Sequence, residues 1–254
     1  GHARFAGGKT GAFSRRDFSD RRGVAVALSC ALFSVLNAMS SETPQLSIVI
    51  PALNEEGSLR QVLPRLRATF AKMGLRGEII VVDGKSSDAT VAVAEAEGAR
   101  VLTQKGRGFG AALREGLCSA RAPWVAVVDA DGSHPPEVLG EMWAKRDAAD
   151  LIIASRYIPG GSAAMPISRH LLSRLLNIMS RLVLSLPVKD SSGGFRLYRA
   201  ELARGACARS DAPNFTVQQE LLSGLLALGG RVMEIPFRYE MRLDGHSKAS
   251  ALRL

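Results

Sequence analysis

The sequence predicts an α/β chain built on a doubly wound, mostly parallel sheet with helices on both faces. Its strand-like runs are apolar without alternation, as strands covered on both faces are. They take turns with helix-like segments in β-α-β-α order. Polar residues gather directly after the runs, at the carboxyl edge where open α/β sheets hold their ligands. The first strand is LSIVIP at 46–51, followed by a helix from about Ser58 to Met73. EIIVVD at 78–83 is the second strand, and Asp88 is placed to cap a helix running to Glu97. ARVLT at 99–103 is a short third strand, with a helix over Gly108 to Ala120. The fourth strand, 124–129, ends on Asp129 and Asp131 with only Ala130 between them, and Pro135, Pro136 and Glu137 open a helix to about Asp147. DLIIASR at 150–156 is a fifth strand. The rhythm then changes to a Gly-Gly loop, a long apolar helix around 168–186 and a second Gly-rich turn in DSSGGFRLYR. A helix at about 216–228 and a strand at 231–239 close the core.

The chain has 254 residues, 46% of them hydrophobic, enough for a full core in one α/β domain. Its three cysteines, Cys30, Cys118 and Cys207, are scattered and odd in number, which fits a reducing compartment and no disulfide framework. The net charge of +9 is uneven: +4 over residues 1–22, −1 over 23–149 and +6 over 150–254. A basic second half calls for an anionic partner, either phosphates or a membrane surface. Nucleic acid is excluded as a partner, because no basic run is interleaved with aromatics and only 6% of residues are aromatic. Residues 1–45 read as an N-terminal extension without catalytic role, membrane-associated or non-native. Within them SRRDFSDRR resembles a twin-arginine export signal and precedes an apolar run, Gly23 to Met39, just under the length of a membrane span. Residues 46–254 are expected to form the folded domain, in two halves over about 46–156 and about 157–254.

Residues two apart in a strand point the same way, so Asp129 and Asp131 are expected to face one crevice, and their repulsion asks for a cation between them. PALNEEG (51–57) and VVDGKSSDAT (81–90) bring further polar groups to the same edge. Asp83 is suited to a base edge, Asn54 and Glu55 to base or ribose, and the aspartate pair to a diphosphate held through a metal. One such strand end is ordinarily a helix cap; three together are better explained by a nucleotide lying across the sheet. The rival is a dinucleotide-binding turn at Gly106-x-Gly108, but it follows the third strand rather than the first. Its glycines and alanines are read as letting that helix pack closely on the sheet. His134 and His246 read as turn residues, with no second ligand at metal spacing. The stripe in LLSRLLNIMSRLVLSL is either core or a membrane-facing helix edged by Arg169, Arg174 and Arg181.

SIVIPALNEEGSL, VVDGKSSDAT, VDADGSHPP, ASRYIPGG, PVKDSSGGFRLYR and RLDGHSKAS, in that order over Leu46 to Ser250, resemble the motifs of dolichol- and polyprenol-phosphate mannosyltransferases. These are inverting enzymes of glycosyltransferase family 2 with the GT-A fold, whose nucleotide-binding half is Rossmann-like. The resemblance implies nucleotide binding at Pro51, Leu53, Asn54, Glu55, Val81, Asp83, Asp129 and Ala130. It implies Mg2+ or Mn2+ at Asp129 and Asp131 with Ser133 nearby, and catalytic roles for Asp131, Arg156 and Arg169. Donor and acceptor phosphates fall to Arg169, Arg242 and Lys248. Three departures stand out: Gly84 where a second aspartate is common, Leu53 where an aromatic is frequent, and Ser133 where some members have a metal-binding glutamine. The implied reaction moves a hexose, mannose from GDP-mannose, to a polyprenyl phosphate at the cytoplasmic face of the membrane. The alternatives are another nucleotide sugar such as UDP-glucose, a sugar-hydroxyl acceptor with Glu220 as base, and a non-catalytic nucleotide-sugar-binding scaffold.

Overall fold

The computed structural model describes residues 43–164 and 167–241. The fold below is that of the unit 44–254. The apolar run at 23–39 and the Arg242, His246 and Lys248 positions lie outside the described residues, as do the side chains of 165–172, Arg169 among them.

The expected alternation is present. It runs β1 (Leu46–Ala52), α1 (Glu56–Met73), β2 (Gly77–Asp83), α2 (Thr90–Ala96), β3 (Arg100–Thr103), α3 (Gly108–Ser119), β4 (Trp124–Val127), α4 (Val138–Ala144) and β5 (Leu151–Ser155). Beyond it come β6 (Ser162–Ala163), α5 (Ile167–Val183), β7 (Arg196–Arg199), α6 (Ala200–Cys207), α7 (Val217–Ala227), β8 (Val232–Pro236) and β9 (Arg238–Tyr239). The seven-stranded sheet has the order β3-β2-β1-β4-β7-β5-β8, and β7 alone in it is antiparallel to its neighbours. A two-stranded parallel ribbon joins β6 to β9.

The apolar runs lack alternation because both sheet faces are covered. Ile48 and Ile50 point into a core with Leu59, Leu63 and Leu66 of α1, Val93 of α2 and Met142 of α4. Val49 and Val127 point into the opposite core, with Leu113 and Leu117 of α3, Ala203 of α6, and Leu221 and Leu225 of α7. At about 25 cal/mol per Å² of apolar surface, these two layers are the main stabilising term.

Three elements were not expected, the first being the short β6 (Ser162–Ala163) within the Gly-Gly loop. FRLYR reads as the end of a Gly-rich turn, yet Arg196–Arg199 is a central strand, and Ala200–Cys207 follows it as a helix. Arg196 hides the strand from a hydrophobicity reading. It is fully buried, and its guanidinium donates to the carbonyls of Ser191 (2.6 Å), Gln218 (2.7 Å) and Gly193 (2.8 Å). The final strand is also split, because Phe237 turns inward between β8 and β9.

The glycines around 108 serve a different neighbour from the one expected. A Cβ on Gly108 or Gly110 would stand 2.3 Å from the Pro213 carbonyl oxygen or 1.9 Å from that of Ala212. They bring the 212–213 loop against the start of α3, and only Gly116, against Val49, presses on the sheet.

Candidate active site

The strand order reverses between β1 and β4, so the crevice at their carboxyl ends is the switch point where such sheets take ligands. The β1 and β2 ends are laced together there. The Asn54 backbone N–H donates to Ser86 Oγ (2.8 Å), and Asn54 Oδ1 accepts from the Ser87 N–H (2.7 Å). The Glu55 N–H donates to Thr90 Oγ1 (2.8 Å), and Glu56 Oε2 accepts from the Ala89 N–H (2.8 Å). Asp83 is buried and accepts the N–H groups of Lys85 (3.0 Å) and Ser86 (3.2 Å), which shapes the 84–88 loop. Pro51 is half-buried in β1, and Leu53 stands exposed on the rim. Val81 is fully buried inside β2, between β1 and β3, so it supports Asp83 from within the sheet instead of reaching the crevice.

β4 ends at Val127, two residues earlier than the sequence implies, so strand alternation does not govern the aspartates. Asp129 lines the cleft. Its N–H donates to His134 Nδ1 (3.0 Å), and its Oδ2 lies 3.5 Å from His134 Nε2. Ala130 is buried. Asp131 is only 4% exposed, and its Oδ1 accepts from both the N–H (3.0 Å) and the hydroxyl (2.6 Å) of Ser133. Ser133 is itself fully buried, so its visible task is to orient Asp131.

The sequence places His134 in a turn, and the structure makes it the prop of Asp129 as well. It stacks on Phe195 at 4.8 Å and meets Phe237 and Tyr239 edge-on. Burial pushes its imidazolium down against the pull of Asp129 and Asp131, so the neutral ring is favoured. With Nδ1 accepting from the backbone, the proton belongs on Nε2, facing Asp129. The available signal was a large aromatic between the strand-end acids and two prolines.

The far wall of the cleft is a second polar platform. Arg156 follows β5 and forms a bidentate pair with Asp190, Nε to Oδ2 at 2.8 Å and Nη2 to Oδ1 at 2.7 Å. Nη2 also donates to Ser192 Oγ (3.0 Å). Burial alone would raise the Asp190 carboxyl, but the Arg156 guanidinium overcomes it and holds the group below its ordinary range. Asn177 of α5 ties the same loop down, Oδ1 accepting from the Ser191 hydroxyl (3.0 Å) and the Ser192 N–H (3.1 Å). Nothing local marks Asp190 in the sequence, because its partner Arg156 lies 34 residues away.

Between these walls lies a cavity of about 220 Å³, bordered by Asp129, Arg156, Gly193, Gly194 and the stacked rings of Phe109 and Phe215 (4.6 Å). Glu220 does not border it. It borders a separate cavity of about 570 Å³ between α5 and α7, where its Oε2 accepts from the Ser210 hydroxyl (2.7 Å) and the N–H groups of Asp211 and Ala212 (3.0 Å each). The Ala212 N–H, then Ser210, hold its carboxyl below the usual range.

Among the described residues no three His, Cys, Asp or Glu side chains gather at metal-binding distance. That donor set still fits a hard cation. Mg2+ or Mn2+ beside a diphosphate takes one or two protein carboxylates and fills its shell with phosphate oxygens and water. Gly194 leaves the needed room, since a Cβ there would stand 3.5 Å from Asp129 Oδ1.

Comparison with known proteins places the chain in a family. The sequence profile described as glycosyl transferase family 2 matches residues 47–205. A polyprenol monophosphomannose synthase of Mycolicibacterium smegmatis is 33% identical over 82% of this chain and 82% of its own. An undecaprenyl-phosphate mannosyltransferase of Micrococcus luteus is 34% identical over 80% of this chain and 86% of its own. Among solved structures, glucosyl-3-phosphoglycerate synthase from Mycobacterium tuberculosis, in complex with Mn2+, uridine diphosphate and phosphoglyceric acid, superposes with a TM-score of 0.63. It is 23% identical, over 84% of this chain and 75% of that one, which speaks to the shared GT-A-like fold. With a profile covering more than half the chain and relatives a third identical across four fifths of it, the assignment is direct: the chain belongs to glycosyltransferase family 2.

Proposed function

We propose that this glycosyltransferase moves a hexose, mannose from GDP-mannose, onto a polyprenyl phosphate with the help of Mg2+ or Mn2+. The observation that carries the choice of acceptor is the state of the carboxylates. A sugar hydroxyl needs a general base poised near the working pH. Glu220 is capped by three donors, held acidic and outside the cleft, and Asp190 is locked to Arg156. A phosphate monoester, with a second pKa of about 6, arrives already ionised and needs cations instead. Both mannosyltransferase relatives favour the same acceptor class and sugar.

In this reading Asn54, Glu55 and Asp83 hold the base and ribose end, and Asp129 and Asp131 hold the metal and diphosphate. The cation supplies Lewis-acid neutralisation of the departing diphosphate. Ser133 and His134 keep the two carboxylates in place. Arg156 borders the cleft and engages Asp190 through Nε and Nη2, and its remaining nitrogen, Nη1, is the one this reading assigns to a phosphate oxygen. Arg169, Arg242 and Lys248 remain candidates for the acceptor phosphate. A described set lies closer to hand: Arg174, Arg181 and Lys189 border a groove of about 230 Å³ with Tyr157 and Asn177.

No helix among the described residues is long and apolar enough to cross a membrane. The stripe on α5 is nevertheless exposed rather than core: Leu175, Ile178, Met179, Leu182 and Val183 follow helical spacing, the last two 70% and 73% exposed. Beside the basic groove, this face suits the surface of the cytoplasmic membrane leaflet, where a lipid phosphate would be presented. The pair of changes Leu182→Glu and Val183→Glu should lower partition onto anionic vesicles at least tenfold, since each buried side chain of this size contributes about 1.5 kcal/mol. Unchanged partition in a flotation assay would refute the docking face.

The test of the reaction is a panel of labelled nucleotide sugars with a short polyprenyl phosphate, scored for lipid-linked product. Product from GDP-mannose supports the reading; transfer only to a sugar hydroxyl overturns it. Glu220→Gln should retain at least about half of the transfer rate while melting at a lower temperature, because it weakens a loop cap that accepts three hydrogen bonds. An inactive but folded, donor-binding Glu220→Gln protein would move the enzyme to the hydroxyl-acceptor class.

A further inference from the structure

One polar side chain in the cleft is left without a task by the chemistry above. Gln218 stands in the first turn of α7, is 1% exposed and borders the cleft. Its backbone is fully engaged: the N–H donates to Phe215 O (3.2 Å), and the carbonyl accepts from the buried Arg196 guanidinium (2.7 Å). Its side-chain amide is not engaged. Among the described residues neither Oε1 nor Nε2 has a hydrogen-bond partner, although both are buried. Leaving such a group unsatisfied costs about 1–3 kcal/mol, so a buried amide of this kind ordinarily faces something that binds it.

Gly194 shows where that something sits. A Cβ on this residue would stand 3.7 Å from Gln218 Nε2 and 3.5 Å from Asp129 Oδ1, so its absence opens one space between amide and carboxylate. The cavity of about 220 Å³ exceeds the roughly 15 Å³ that one ordered water requires.

We propose that Gln218 reads the transferred sugar, its amide nitrogen donating to one ring hydroxyl and its oxygen accepting from a neighbouring one. This rests on the transferase reading and deepens it. A donor laid across the strand ends puts its base at β2 and β1 and its diphosphate at Asp129 after β4. The sugar, next in covalent order, then falls over β7, where Gln218 is anchored through Arg196. An uncharged donor-and-acceptor pair matches vicinal hydroxyls. A phosphate would call for a cation, and a polyprenyl chain for an apolar wall.

The experiment uses the full chain with GDP, GDP-mannose and the four singly deoxygenated GDP-mannose donors. Gln218→Met, of similar length and unbranched, should bind GDP within twofold of wild type and melt no lower, since no internal bond is lost. Its kcat/KM for GDP-mannose should fall at least thirtyfold. Wild type should discriminate strongly against one or two of the deoxy donors, and Gln218→Met should discriminate against those same donors tenfold less. A Gln218→Met enzyme with wild-type kcat/KM and wild-type discrimination overturns the assignment. So does equal loss on every donor with weakened GDP binding, which marks a packing role. Should the variant fail to fold, wild type alone still decides: indifference to all four deoxy donors excludes a hydroxyl-reading amide. Absence of any hexose transfer by wild type, from any nucleotide sugar, removes the transferase reading and this inference with it.

Discussion

Asp131→Ala is expected to lower kcat/KM for sugar transfer at least about a hundredfold, roughly 3 kcal/mol of transition-state stabilisation. In the proposed reaction, charge growing on the departing diphosphate would be neutralised by a cation held at Asp129 and Asp131. Asp131 is the more deeply set, with Ser133 fixing its Oδ1. Asp131→Asn is the sharper test. It keeps an oxygen to accept from Ser133, so the turn should survive and the melting temperature should move little. The lost negative charge should nevertheless reproduce most of the catalytic defect, and excess chelator should do the same to wild type. Full activity in Asp131→Asn, or in chelator, would refute the metal role. Ser133→Ala should be milder, about tenfold, because it removes the hydroxyl donor to Oδ1 and leaves the residue-133 N–H and the carboxylate in place.

The parts of this fold that were legible are those where one physical signal dominates. β1, β2, β4 and β5 each carry an unbroken apolar stretch because helices cover both faces, and that requirement writes itself directly into residues such as Ile48, Val49 and Ile50. The strand-end acids were legible for the same reason: Asp83 and Asp129 interrupt runs that are otherwise wholly apolar. β7 was not. A strand opened by Arg196 looks solvated until the three carbonyls that receive its guanidinium are in view, and those come from Ser191, Gly193 and Gln218, the last far away in sequence. The contacts of His134 and Asp190 and the unpartnered amide of Gln218 were hidden likewise, since each depends on a partner or an empty space contributed by another element. Glu220 shows the converse. A carboxylate near a site looks like a base in sequence, and only its three donors show that it is a cap.

Asp190→Ala is expected to destabilise the protein by about 3–5 kcal/mol, the usual cost of removing one partner of a buried ion pair. The reason is asymmetry. Asp190 is fully buried and Arg156 nearly so, and the two guanidinium hydrogen bonds of the pair are short, with the Arg156 backbone N–H adding a third to Oδ2 (3.1 Å). Removing the acid leaves a guanidinium in a poorly solvated wall with Ser192 as its remaining side-chain acceptor. For a domain of this size the melting temperature should fall by roughly 10 °C. The pH dependence has a definite sign. Because the folded carboxyl is held below its unfolded value, the stabilisation is complete at neutral pH and is lost as pH falls through the folded pKa. The wild-type melting temperature should therefore decline in acid more steeply than that of Asp190→Ala. Pairing the change with Arg156→Met separates structure from catalysis. If Arg156 were only a strut, the double variant would regain both stability and activity, since a well-packed apolar pair can replace a buried ion pair. If Arg156 instead serves a substrate phosphate, as proposed, the double variant should regain stability over Asp190→Ala yet remain at least about thirtyfold impaired in transfer. Recovery of activity along with stability would remove Arg156 from the reaction.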